Sequence, residues 1–156
     1  MVPNIRLSNN FMLHELCYSR TANRHSIPNV PGQVGINKLK LLATQILQPI
    51  RNHFAIPIPK VYISAYRSIR LNRFIGSKDT SQHIKCEAID VEIPGVTNWE
   101  VARWIEDNLD FDQLILEYVE ADIPNSGWVH ISYVPNNNRN EILTINKKGA
   151  RYGLNP

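Results

Sequence analysis

Three side chains in this chain combine metal-binding chemistry with positions that could bring them together. His83 and Asp90 stand seven residues apart in Ser81-Gln82-His83-Ile84-Lys85-Cys86-Glu87-Ala88-Ile89-Asp90, a stretch that runs from a polar loop into a strand pattern. His130 lies far downstream, in Trp128-Val129-His130. Two neutral imidazoles and one carboxylate suit zinc. They leave a net charge of about +1 on the ion, which stays a Lewis acid, and three protein ligands leave a fourth position for water. Zinc lowers the pKa of that water to about 7, which is hydrolytic chemistry at neutral pH. Spacing alone leaves other readings open. His83 and Asp90 also fit a surface pair or a capping contact, and His130 fits a satisfied core histidine.

Strand patterns surround these residues. Lys60 to Tyr66, Glu87 to Ile93, Phe111 to Val119 and Trp128 to Val134 each alternate, and Glu141 to Ile145 is a candidate fifth. Side chains on a strand point to alternate faces. In the second segment Ile89, Val91 and Ile93 oppose Ala88, Asp90 and Glu92. In the third, Leu114, Leu116 and Tyr118 oppose Gln113, Ile115 and Glu117. In the fourth, Val129, Ile131 and Tyr133 oppose Trp128, His130 and Ser132. Each strand thus has one mainly apolar face. On its other face it carries one metal- or proton-competent group: Asp90, Glu117 or His130. If the three share a sheet, these groups converge, with His83 arriving from the loop. The third and fourth segments are the expected neighbours, because sequential strands commonly pair.

Helices supply the cover for the apolar face. Ile36, Leu39, Leu42, Ala43, Ile46, Leu47, Ile50 and Phe54 recur at three- and four-residue steps. Pro49 inside that pattern removes a backbone donor and predicts a kink, or an end and restart. Thr97 or Asn98 can cap a helix through Asn108, with Val101, Trp104, Ile105 and Leu109 as its stripe. Shorter helices are expected over Ser8 to Ser19 and Ile69 to Ile75, and loops over Asn29 to Gly35 and Ala121 to Gly127. The expected fold is a single α+β domain. It has a mainly antiparallel sheet of about four to five strands, helices on one face and a zinc site on the other. Residues 1–35 form an N-terminal segment, 36–145 the core and 146–156 a basic tail.

Composition narrows the class further. The chain has 156 residues, 43% hydrophobic and 20% charged, which argues against disorder and against a coiled coil. No apolar run is long enough to span a membrane. The first ten residues lack the apolar core of a signal peptide, so a protein working outside a cell would be made in the cytoplasm and released by another factor. The net charge of +3 suits an anionic partner or a solvated basic tail at Lys147, Lys148 and Arg151. No interleaving of basic and aromatic residues points to nucleic acid. Cys17 and Cys86 could pair, but two cysteines do not make a disulfide framework.

The motifs together resemble zinc D-alanyl-D-alanine carboxypeptidase-like peptidases of bacterial cell walls, and more closely their small phage-type relatives with the hedgehog/DD-peptidase fold. That family's motif is Ser-x-His-x-x-Gly-x-Ala-x-Asp. Ser81, His83, Ala88 and Asp90 match it in order. Trp128-Val129-His130 resembles the second histidine segment, and Ser64-Ala65-Tyr66-Arg67-Ser68 the upstream Ser-x-Tyr-Arg. Leu71-Asn72 with Gly76, and Phe111-Asp112-Gln113-Leu114-Ile115 with Glu117, also fit. The resemblance spans Ser8 to Val134. It implies His83, Asp90 and His130 as zinc ligands. Two departures stand out. Cys86 replaces the motif glycine, and its thiolate is an alternative ligand. Gly127 stands where many relatives carry an acid, so the general base must come from elsewhere. Glu117 is the first choice, with Glu120 and Asp122 as alternatives.

The implied activity is zinc-dependent hydrolysis of an amide bond in a peptidoglycan stem peptide, as a D,D-carboxypeptidase or an endopeptidase of the phage endolysin type. Glu117 would act as base, Arg67 would hold the oxyanion or a substrate carboxylate, and Ser81 would orient substrate or support the metal shell. The expected partner is the bacterial cell-wall peptide, met by a monomer without membrane insertion. Two rival readings are a zinc-bound but inactive cell-wall or virion module, and a metal hydrolase acting on another substrate.

Overall fold

The alternation over Glu87–Ile93, Phe111–Val119 and Trp128–Val134 becomes the centre of one sheet. The computed structural model describes residues 2–120, 122–123 and 126–155. Strands β1 (Ile63–Ser64), β2 (Ala88–Val91), β3 (Gln113–Glu117), β4 (Trp128–Ser132), β5 (Glu141–Asn146) and β6 (Gly149–Tyr152) lie in the order β1-β2-β4-β3-β5-β6. All neighbours are antiparallel except β3 and β5. β4 therefore sits between β2 and β3.

The fold is α+β, but the sheet has six strands where the alternation predicts about four to five. The additional strand is β6, all four of whose residues are exposed. With neither face buried it carries no alternating signal. The segment Lys60 to Tyr66 contributes only two strand residues. Pro57 and Pro59 lead into it, and Lys60–Tyr62 forms a 3₁₀ turn closed by Tyr62 N–H donating to the Pro59 carbonyl at 2.8 Å. β3 stops at Glu117 because Tyr118 takes a left-handed φ of 54°.

One face of the sheet is covered. Ile89, Val91, Leu114, Leu116, Val129 and Ile131 are fully buried against Leu39, Ile46, Leu47, Ile50, Val101 and Ile105. These come from a helical run, α3 (Gln33–Leu42), a π-turn (Ala43–Leu47) and α4 (Gln48–Phe54), and from α6 (Asn98–Asn108). At Pro49 the lost donor predicts a kink, or an end and restart, and the helical run continues through it. The turn before it widens into the π form, which accommodates a missing N–H within a continuing helix. α6 begins at a capping box of Thr97 and Glu100.

Three short helices, α1 (Leu13–Leu16), α2 (Arg20–Arg24) and α5 (Ile69–Phe74), border the sheet. The helix expected over Ser8 to Ser19 is thus reduced to one turn, although Phe11, Leu13, Leu16 and Cys17 are all buried. Among the described residues no helix is long and apolar enough to cross a membrane. The connection expected over 121–127 falls partly on Ala121, Pro124 and Asn125, outside the described residues.

Candidate metal centre

The uncovered face of the sheet carries the polar groups. The β2–β4 register sets Asp90 directly opposite His130, and the β3–β4 register sets Ile115 on the other side of His130. Opposed residues share a face. His130 Nδ1 accordingly lies 2.8 Å from Asp90 Oδ1.

His83 reaches the same oxygen from a series of tight turns over 78–87, with backbone N–H donors at Ser81, Ile84, Lys85, Cys86 and Glu87. Its ring is buried, at 2% exposure. Nδ1–H donates to the Ala65 carbonyl at 2.6 Å, which leaves Nε2 unprotonated in the neutral ring. That Nε2 lies 3.2 Å from Asp90 Oδ1. In that neutral form a lone pair faces the carboxylate oxygen, and either a proton on Nε2 or a metal cation between the two atoms makes the contact favourable.

Ligand atoms of His83, Asp90 and His130 all lie within 4.8 Å of one another. Zinc bonds of about 2.0–2.1 Å place neighbouring tetrahedral donors about 3.3 Å apart. Contacts of 2.8 and 3.2 Å are close to that edge length. The Ala65 carbonyl is the kind of partner that fixes the tautomer of a ligating histidine. By donor type and spacing, the residues fit a zinc ion.

Charge around the cluster is balanced from several sides. Burial pushes the Asp90 carboxyl up, but the imidazoles of His83 and His130 outweigh it and hold Asp90 well below the usual carboxylate range. Arg67 points Nη2 at Asp90 Oδ2 from 3.3 Å, while its buried Nε has no hydrogen-bond partner among the described residues. Glu117 is part-buried on the site face, two residues along β3 from Ile115. Its carboxyl is pushed up by burial and by the charge of Asp90, with His130 and Arg67 opposing. The cluster is therefore part of the electrostatic surroundings of Glu117.

Gly127 carries a left-handed φ of 66°. A Cβ there would lie 1.9 Å from the Glu117 carbonyl oxygen. The strand entering β4 passes so close to β3 that no acid can stand at 127 without moving one of them. Asn98 holds this approach, its side chain donating to the Ser126 and Gly127 carbonyls at 2.9 and 3.1 Å. Glu120 and Asp122 are exposed on the connection.

Cys86 does take a left-handed φ, 59°, at the position of the motif glycine. Its side chain is buried, and Gly35 packs so close that a Cβ on it would lie 2.8 Å from Sγ. Burial pushes the thiol up to about 11. Cys86 is not part of the converging group, and a protonated core thiol is a poor zinc ligand. Cys17 and Cys86 are both free thiols. Ser81 Oγ accepts a hydrogen bond from the His83 backbone N–H at 3.3 Å, inside the turn that carries the histidine.

Two buried residues to which the sequence alone gives no role, Asn29 and Asp112, hold these parts in place. The Asn29 side chain donates to the Cys17 and Tyr66 carbonyls, both at 2.9 Å, and accepts from the Ser68 N–H at 2.7 Å. It clamps the chain on either side of Arg67. Asp112 accepts from Gln82, Ser132 and Arg139. It ties the His83 turn to β4. Asn29 has no sequence signal beyond its type, and the segment Phe111–Ile115 that includes Asp112 fits the resemblance without revealing this role, because the partners are far apart in the chain.

A family model described as Peptidase M15 matches residues 9–132, which is well over half of the chain and includes every residue of the cluster. No curated protein matches the chain.

Proposed function

This chain belongs to the peptidase M15 family of zinc peptidases, and on that premise we propose that it hydrolyses an amide bond in a peptidoglycan stem peptide. The observation that carries the reading is the convergence of His83, Asp90 and His130 on one face of the sheet, beside Glu117 and Arg67.

In this reading His83, Asp90 and His130 hold the zinc. When bound, zinc supplies Lewis acidity and makes hydroxide available near neutral pH. Glu117 takes the proton of the attacking water and delivers it to the leaving amine, work that typically contributes about 10²–10⁴-fold. Burial and the Asp90 charge, which favour the protonated form of Glu117, support a group that must hold a proton between the two steps. Arg67 binds the oxyanion or a substrate carboxylate, and its unpartnered Nε supports a role toward a ligand. Ser81 braces the turn beneath His83.

A purified, zinc-loaded sample incubated with cell-wall sacculi tests the reading. New amino termini should appear, and a chelator should abolish them. Zinc binding without any release would favour a recognition module instead.

A further inference from the structure

Two clefts meet at Asp90. One, of about 210 Å³, runs past Arg67 and Tyr18, and the other, of about 220 Å³, runs past Tyr62, Glu92 and Trp128. Both are lined by Ser64 and Asp90. A third hollow of about 220 Å³ continues the second one past Tyr62 and Glu92. The clefts therefore open to both sides of Asp90, one beside Arg67 and the other beside Glu92, and the two sides differ in charge.

Glu92 is the distinctive residue of the second side. It follows Asp90 by two positions and faces the same way, and its backbone N–H donates to the Tyr62 carbonyl at 3.1 Å. The side chain is part-buried. Among the described residues it makes no salt bridge and no side-chain hydrogen bond. A carboxylate withdrawn from water without a cation or donor is costly unless something fills the role. Tyr62 and Trp128 line the same cleft as Glu92, together with Ile63, Ser64 and Asp90. A carboxylate in a cleft that also presents aromatic rings is the chemistry that recognises an ammonium group, by charge and by cation–π attraction. Arg67, on the opposite side of Asp90, offers the complementary charge.

We propose that the cleft of Tyr62, Glu92 and Trp128 is a subsite for a primary ammonium group carried by the peptide substrate. The inference rests on the peptidase reading and adds a direction to it. The substrate lies across Asp90 with its ammonium-bearing part over Glu92 and its carboxylate-bearing part toward Arg67. A side-chain ammonium and a free amino terminus share this chemistry, and the test separates them.

Binding is measured by calorimetry on the zinc-loaded Glu117→Ala protein, so that turnover does not interfere. The probes are Nα-acetyl-lysyl-D-alanyl-D-alanine, its norleucine counterpart, and the norleucine peptide with a free amino terminus. At least one ammonium-bearing probe should bind about tenfold more tightly than the neutral one. Adding Glu92→Gln should erase that preference while leaving the neutral probe within about twofold. The probe that gains identifies the source of the ammonium. Equal affinities, a preference that survives Glu92→Gln, or no binding of either ammonium probe would overturn the proposal. Sacculus turnover by the wild type alongside equal affinities would leave the peptidase reading standing and remove only this one. Glu92-dependent ammonium binding without turnover would do the reverse.

Discussion

The Asp112 carboxylate accepts a hydrogen bond from Gln82 Nε2 at 2.9 Å, and Gln82 is the residue before His83. The same carboxylate takes a two-pronged contact from Arg139, Nε at 2.9 Å and Nη2 at 2.7 Å, and a hydrogen bond from Ser132 on β4. One buried acid thus fastens the turn that carries one histidine to the strand that carries the other.

Asp112 should make the protein acid-sensitive. Arg139 heads the interactions that hold its carboxyl well below the usual range. A depressed folded-state pKa contributes stability that is present above the unfolded value, about 3.9, and is lost as pH falls toward the folded one. Asp112→Asn should cost about 2 kcal/mol near neutral pH, in line with losing hydrogen bonds to a charged group. It should also flatten the decline of stability below about pH 4. Urea midpoints across a pH series check both.

Removing a ligand should remove the metal. His83→Ala and His130→Ala should each lose stoichiometric zinc in equilibrium dialysis. The wild type should gain about 2.7 kcal/mol of stability when free zinc is a hundred times its Kd, a gain that a chelator reverses. One equivalent of zinc bound by His83→Ala with unchanged affinity would exclude this ligand set.

Cys86→Gly should be nearly neutral. Relief of a left-handed non-glycine residue is worth about 1–2 kcal/mol, and loss of the buried thiol costs a similar amount. Net stability should stay within about 1 kcal/mol of the wild type, with zinc affinity unchanged. A cobalt-substituted wild type should show no thiolate charge-transfer absorption. A fall in metal affinity would make Cys86 a ligand after all.

Gly127→Ala should be severely destabilising. The added Cβ would meet the Glu117 carbonyl at 1.9 Å, in a backbone conformation that only glycine adopts freely. A loss above about 2 kcal/mol is expected in thermal melts, and Gly127→Glu should do no better. Placing an acid at 127 would thus disrupt the β3–β4 approach rather than supply a second base.

Several of these relationships are legible in the chain itself, and others are not. A period of two is enough to put Asp90, Glu117 and His130 on the polar faces of their strands, because burial of Ile89, Leu116 and Val129 leaves no other register. Their convergence depends on β4 lying between β2 and β3, and no local pattern encodes that order. Strand β6 escaped because all of its residues are exposed. The π-turn before Pro49 is an accommodation made by the folded helix, which the missing donor alone cannot distinguish from a kink. Asn29 and Asp112 act through contacts 12 to 39 residues away, at distances where residue type carries no positional information.

The most direct measurement is the release of new amino termini from sacculi by zinc-loaded Glu117→Ala. With one equivalent of zinc retained, the rate should fall by about 10²–10⁴-fold, the usual contribution of a general base. Full activity in that variant would contradict the account, because the base would then have to be some group other than Glu117.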